Sequence, residues 1–364
     1  MKIDEIEMIP ISIDRNEIFR IATGADLAAE NVIVKVRSGD VEGWGNSTPN
    51  SVTAESTESI LSALKRMREH VIGRDISKES LWRELRTAFP KDPSAQAGLD
   101  IALYDLEGKM EGKKVYELFE GQMGSVLTDR TIGIMSYQET VEHAREFMDE
   151  GFRAIKIKIG LDLLEDIRRV QGVRETLGPD IPLWVDANQG YSVEEAITLC
   201  DKLLELDIAF IEQPVKEDDL EGLKRVTAES EIPIMADETI KDHHMAERVC
   251  TEELAHMVNI KLMKCGGLTG GHKIVEVIER YGVDAMVGCM GEIIPSIAAG
   301  THLHLGSQRI RYADLDSHFM LSDNVFTGLE FKEGKLWVSD EYGLGVEPDQ
   351  EKINRYKMKL EGTI

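Results

Sequence analysis

Three carboxylates stand where chemistry is expected. Asp186 lies in WVDAN, Glu212 in FIEQP and Asp237 in IMADE, each closing a short apolar run. The intervals between them are each about one strand-plus-helix unit of a parallel barrel. Parallel barrel strands all point one way, so these side chains should converge at the C-terminal mouth. Three converging carboxylates repel one another unless a cation neutralises them. An oxygen-only set favours one Mg²⁺ per subunit, with Mn²⁺ as the other candidate, over zinc. A lone acid at a strand end is more often a helix cap or a surface charge, and the regular spacing is what argues against that here.

Lysines follow the same rule. AIKIKIG sets Lys156 and Lys158 two residues apart, on one face of a strand. Ile155, Ile157 and Ile159 take the other face, which fits poorly with a solvated surface strand. A metal and a second ammonium nearby should lower a lysine pKa toward neutrality and make it a competent base. Lys261, in VNIKLMKCGG, ends a later strand, several strands around the barrel from Lys158. Two bases on opposite faces of one substrate suit an epimerisation, in which one removes an α-proton and the other returns one. A metal holding the carboxylate would stabilise the enediolate between them. Lys264 is expected to be structural or exposed.

The elements that must position these residues can be read from periodicity. Apolar runs at 131–135, 154–159, 182–186, 209–212, 234–237, 256–261, 285–288 and 312–316 alternate with helical segments such as 137–150, 193–205, 220–229 and 270–281. Eight strand candidates with helices between them predict an α/β fold, a (β/α)7β TIM-like barrel spanning 123–326. An open doubly wound sheet is the competing reading, but no Gly-rich loop follows the first strand. Residues 1–122 read as an α+β unit with strands at 2–13 and 31–38, a turn at 40–44, and helices at 54–71, 77–88 and 95–118. In the last helix Leu99, Ile101, Ala102 and Leu106 keep helical spacing. Strand-like pieces at 329–332 and 335–338 are expected to pack back on it. A capping domain of 1–122 plus 327–364, formed from both chain ends, is therefore predicted.

The chain has 364 residues, long enough for a barrel and a smaller domain. Its net charge of −25, spread along the whole length, argues against a nucleic-acid partner. No run approaches a membrane span. Cys200, Cys250, Cys265 and Cys289 form no CxxC pair and are expected to be reduced thiols in a cytoplasmic protein. His243, His244, His302, His304 and His318 avoid the converging strand ends and are read as solvated or capping groups.

The motifs KIK, DAN, EQP, ADE and NIKLMKCGG, in this order, resemble the enolase superfamily in its muconate lactonizing enzyme subgroup. A lysine or histidine base working with Mg²⁺ is the known pattern of that superfamily. The resemblance covers essentially the whole chain. It implies a capping domain whose loops, here 19–27 and 44–52, close over the barrel mouth. It also implies Lys158 as acid/base, Lys156 as a carboxylate-binding group that holds down the Lys158 pKa, and Asn188 and Glu238 as supporting groups beside the metal. YADLDSHF places Asp314 and Asp316 on one strand face. The pair resembles the Asp-x-Asp of dipeptide epimerases, which binds a free α-ammonium group. Thr131 and the run Cys289, Met290 and Gly291 match substrate-contacting positions. No histidine accompanies Cys289, so it is read as wall, not nucleophile. Epimerases of Ala-Glu carry an arginine in the first capping loop, where this chain has Gly24 with Arg20 nearby. Hydrophobic or cationic dipeptides are the expected substrates. An o-succinylbenzoate synthase-type lyase or another cycloisomerase or racemase of the subgroup is the alternative, and a non-catalytic metal-binding scaffold would leave both lysines unexplained. A homo-oligomer is expected, although no interface can be read.

Overall fold

The computed structural model describes residues 2–74 and 77–359. Met1, positions 75 and 76 of the expected cap, and the tail end 360–364 lie outside the described residues.

Strands Glu5–Ile21, Gly24–Ser38 and Val41–Ser47 form an antiparallel sheet. Both of its faces are buried. Val32, Val34 and Val36 pack on helices Thr57–Val71 and Pro93–Glu111, while Ile9, Ile11, Ile13 and Ile33 belong to the core shared with the barrel. Ser56 caps the first of these helices in a capping box with Ser59. The expected helix 95–118 stops at Glu111 because Gly112 turns left-handed at φ 64, and a short 3-10 turn, Val115–Phe119, follows. The expected turn at 40–44 is tighter, at Gly39 and Asp40, and the chain resumes as a third strand. The expected loop 19–27 is instead the end of a long hairpin, with Phe19 opposite Asp26 and Ile21 opposite Gly24.

Eight parallel strands follow in sequence order: Arg130–Ile132, Ile155–Lys158, Leu183–Asp186, Ile211–Glu212, Ile234–Ala236, Met257–Lys261, Asp284–Gly288 and Ile310–Asp314. Helices Tyr137–Asp149, Leu163–Leu177, Val193–Leu203, Leu220–Glu229, His243–Glu252, Leu268–Tyr281 and Ile294–Leu305 connect them. This is the (β/α)7β order. The eighth strand meets the first where the Asp129 N–H donates to the Ala313 carbonyl at 3.2 Å and the Leu315 N–H to Thr128 Oγ1 at 3.0 Å. Inside, Trp184, Phe210, Met235, Met257 and Met286 form an apolar plug, with Trp184 stacked on Phe210 at 5.3 Å. Burial of each large plug side chain contributes about 2 kcal/mol. One pleat further along, Lys156, Asp186, Glu212, Asp237 and Asp314 put charge at the inward positions.

The tail serves both units. Strands Leu329–Lys332 and Lys335–Val338 form a hairpin that pairs with Val126–Leu127, not with the N-terminal sheet. Phe331 stacks on Phe152 at 4.5 Å, which puts the hairpin at the end of the barrel where its strands begin. Beyond the hairpin the chain returns to the cap: the Leu344 N–H donates to Asp105, and the Met358 N–H to the Pro10 carbonyl. We propose on these later contacts that the tail from 327, its hairpin apart, belongs with 1–122 in the cap. Among the described residues no helix is long and apolar enough to cross a membrane.

Helix Pro93–Glu111 crosses the third cap strand so closely that a Cβ on Gly45 would collide with the Gly98 carbonyl oxygen and lie 2.7 Å from the Ala102 nitrogen. The Gly45→Val protein should therefore lose about 3 kcal/mol of stability, read as a lower midpoint of thermal unfolding. An unchanged midpoint would refute this packing.

Candidate active site

The strand register stacks the charged residues. Lys156 sits opposite Trp184, Lys158 opposite Asp186, and Asp186 opposite Glu212. Asp237 directly follows the fifth strand, Lys261 ends the sixth and Asp314 ends the eighth. Asp186, Glu212 and Asp237 are fully buried, and one oxygen from each lies within 4.8 Å of the others.

Ammonium groups surround this trio. Lys156 Nζ lies 3.0 Å from Asp186, 2.7 Å from Glu212 and 2.7 Å from Asp314. Lys158 Nζ donates to Asp186 at 2.5 Å and Lys261 Nζ to Asp237 at 2.8 Å. Lys264 is buried, not exposed, and donates to both the side chain and the backbone carbonyl of Asp237. Burial alone would raise the Asp186 carboxyl, but Lys156, Lys158 and Lys261 outweigh it and hold it well below the usual carboxylate range. Lys261 and Lys264 do the same for Asp237. Glu212 is pushed up to about 8, by burial first and then by the Asp186 charge. The lowering of a lysine pKa expected beside a metal is opposed by the carboxylates themselves at Lys156 and Lys261. Burial pushes each down, but the carboxylates around them reverse the sign and carry both upward.

An oxygen-only trio fits a hard divalent cation, and two buried oxygens support the fit. Glu212 Oε2 is buried without an aligned hydrogen bond, despite lying 2.7 Å from Lys156 Nζ, and Glu238 Oε2 is buried without any partner. Burial and the Asp237 charge push Glu238 up to about 7.

A cavity of about 330 Å³ opens over this cluster. Thr131, Lys158, Asn188, Asp237, Glu238, Lys261, Cys289, Met290, Asp314 and Asp316 line it. Lys156 does not; it is fully buried below. Gly291 also stays outside, with its carbonyl accepting from Asn31 and its Cα turned toward Arg15 and Thr48. Asn188 and Glu238 are joined at 3.1 Å. Asn188, Gln189 and Gln213 have positive φ (40°, 68° and 36°), so the turns beyond the third and fourth strands hold non-glycine residues in the left-handed region. Asp314 accepts from Lys156, while Asp316 accepts from the Thr131 N–H at 2.7 Å and lies 3.6 Å from Arg130. Cys289, Asp314 and Asp316 also cluster within 4.8 Å, and burial pushes the Cys289 thiol far up.

Several site residues escape sequence reasoning. Asn259 donates to Glu212 at 2.7 Å; its position two residues before Lys261 is the available signal. Gln213 accepts from the Asp237 and Thr239 N–H groups at 2.8 and 3.2 Å and so shapes the fifth strand end. Asp129 is buried against Trp184 Nε1 at 2.9 Å. The cap adds Phe19, Ile21 and Val52 to the cavity wall. Gly24 meets open space, and Arg20 is held through its backbone, the Ile134 N–H donating to its carbonyl. The guanidinium approaching Gly291 is that of Arg15, which packs over Phe19 at 5.5 Å. His302 and His318 are buried, not solvated, and burial pushes them down to about 4 and about 3.

Such a barrel, with a carboxylate trio flanked by lysines and a cap over its mouth, defines a class of metal-assisted enzymes. Residues 6–120 match the mandelate racemase / muconate lactonizing enzyme N-terminal domain, and residues 139–352 match the enolase C-terminal domain-like family. The chain belongs to the enolase superfamily, in its muconate lactonizing enzyme subgroup. It is 35% identical over 355 residues to the L-Ala-D/L-Glu epimerase of Bacillus subtilis (strain 168), covering 95% of this chain and 97% of that one. It is 37% identical over 352 residues to the L-Lys-D/L-Arg epimerase of Desulforapulum autotrophicum, covering 95% and 99%. The crystal structure of the dipeptide epimerase of Enterococcus faecalis V583, complexed with Mg and L-Leu-L-Tyr, matches with a TM-score of 0.92 at 34% identity, over 95% of this chain and 99% of that one.

Removal of Lys156 tests the charge balance. In Lys156→Met, Asp186, Glu212 and Asp314 lose a shared cation, at a cost of about 3 kcal/mol or more. The thermal midpoint should fall in EDTA, and Mg²⁺ should raise it more than in the unaltered protein. An equal response to Mg²⁺ in both proteins would count against the trio as a cation site.

Proposed function

We propose that this protein is a Mg²⁺-dependent dipeptide epimerase, an isomerase that inverts the α-carbon of the C-terminal residue of L,L-dipeptides. The observation carrying this reading is the order of strand ends. Lys158 is on the second strand, the carboxylate trio spans the third to fifth, Lys261 is on the sixth, and the Asp314 and Asp316 pair is on the eighth. Second and sixth strands of eight are diametrically opposed, so the two amines flank any substrate bound across the mouth.

Asp186, Glu212 and Asp237 would hold the cation, which when bound neutralises the substrate carboxylate and the negative charge that develops beside it. The neutral amine of one lysine takes the α-proton, breaking the C–H bond, and the electron pair spreads into the adjoining carboxylate. The ammonium of the other lysine gives a proton to the opposite face and closes the inverted C–H bond. Asp314 and Asp316 bind the α-ammonium group at the far wall, beside Thr131. Lys156, below the cavity floor, acts by holding the carboxylates in place, and Asn188 and Glu238 support the cation's surroundings. Cys289 and Met290 are wall. Phe19, Ile21, Val52, Met290 and Met320 give the wall an apolar part beside the polar Asn50, Ser51, Gln189 and Glu217, and the apolar part supports hydrophobic side chains in the substrate. All four cysteines are free, in keeping with a cytoplasmic enzyme. We also expect a homo-oligomer, as barrels of this kind often assemble.

Pooled L,L-dipeptides incubated with the protein and Mg²⁺ in D₂O should gain one dalton by mass spectrometry, hydrophobic pairs first. Lys158→Ala and Lys261→Ala should each cut epimerisation by about a thousandfold, while each keeps one base able to exchange the proton of one epimer. Full activity in both variants would refute the two-lysine reading. Silence in every pool, with Mg²⁺ bound, would turn attention to a one-base lyase.

A further inference from the structure

A second cavity, of about 320 Å³, lies behind the loop at 50–55. Val52 lines both this cavity and the active one, so the loop is the partition between them. Arg86, Lys91, Lys241 and Lys264 line the second cavity, and no carboxylate does. That concentration of positive charge is out of keeping with a chain of net charge −25.

The acids nearby are already engaged. Glu217 pairs with Lys241 at 2.7 Å, and Asp237 takes the Lys264 ammonium. Asp92 faces Arg66 at 3.5 Å, and Glu55 accepts from the Ser94 and Ala95 N–H groups at 2.9 and 3.0 Å. One donor in the same cavity is left over: Arg86 Nη1 is buried with no hydrogen-bond partner among the described residues. Buried donors without acceptors are rare in folded proteins. A planar guanidinium beside the exposed Lys91 ammonium, with Lys241 and Lys264 adding charge from within their ion pairs, is suited to an oxyanion carrying two charges. Ala54, within the loop and in this wall, is held at φ 56°, where a non-glycine residue needs outside support.

We propose that this cavity binds a doubly charged oxyanion, inorganic phosphate being the simplest, and that its occupancy fixes the 50–55 loop that walls the active cavity. The proposal stands apart from the dipeptide reading, since it concerns binding alone. It is tested by calorimetric titration of inorganic phosphate into the full-length protein treated with EDTA, so that no bound cation contributes. One site per chain, saturating below about 10 mM, is expected. Arg86→Met with Lys91→Met should weaken binding about tenfold or more. Lys91 is exposed and Arg86 has an unused donor, so the double variant should unfold at the same temperature as the parent when phosphate is absent. Phosphate should also slow amide hydrogen exchange within 50–55 in the parent and not in the variant. No binding in the parent, or equal binding in parent and variant, would overturn the site. Binding without slowed exchange would overturn its action on the loop.

Discussion

Everything in this molecule answers to one electrostatic constraint: Asp186, Glu212 and Asp237 are buried together at the mouth of a barrel. Like charges removed from water at this separation are tolerated only if opposite charges are supplied. Here Lys156, Lys158, Lys261 and Lys264 supply them. The apolar plug of Trp184, Phe210 and the methionines lies immediately beneath and keeps water from entering on that side. Low polarity below makes each ion pair above stronger and each missing partner more costly. A hard cation and the lysines are thus rival solutions to the same problem, and the site has groups for both.

The cap is tied to that cluster by a chain of buried polar contacts. Asn31 donates to the Gly291 carbonyl at 3.0 Å, Asn46 and Thr48 donate to Asn31, and the Ser296 N–H donates to Asn46 at 3.0 Å. These residues lie on or just beyond the second and third cap strands, in the turn after the seventh barrel strand, and in the first turn of helix Ile294–Leu305. The cavity wall made by Phe19, Ile21 and Val52 is therefore positioned by directional bonds as well as by apolar packing, which alone would tolerate sliding.

Most of the barrel is legible in the sequence because its strands are short apolar runs that end in charge, a pattern that few arrangements besides a parallel barrel produce. The three carboxylates, the KIK pair and Lys261 all follow from a side-chain period of two together with strand direction. Tertiary features are harder to foresee. Gly291 looks like cavity wall by its place in sequence, but its neighbours are Arg15 and Thr48, brought in from the cap. The hairpin at 329–338 is expected to pack back on the N-terminal unit, yet Val126–Leu127 offers it an edge at the barrel's other end. Buried His302 cannot be told from a solvated one, since its partners, the Tyr116 N–H and the Leu344 carbonyl, are far away in sequence. Lysine protonation is hidden for the same reason. Its sign depends on how many carboxylates surround each amine, and only the folded chain counts them.

The order of groups around the barrel has a symmetry that bears on the kind of reaction. Glu212, on the fourth strand, is its centre. Asp186 and Asp237 flank it on the third and fifth sides, and Lys158 and Lys261 follow on the second and sixth. Each outer lysine contacts the flanking carboxylate on its own side, at 2.5 and 2.8 Å. The arrangement is close to a mirror image across the mouth. A reaction that removes a proton from one face and never returns it to the other needs one such arm as a base, and leaves the second as an electrostatic partner of the bound substrate. A reaction that must run equally well from either epimer needs both arms in matching surroundings. The near-mirror array from Lys158 to Lys261 is what the second requirement demands, while the first uses only one of its arms for proton transfer.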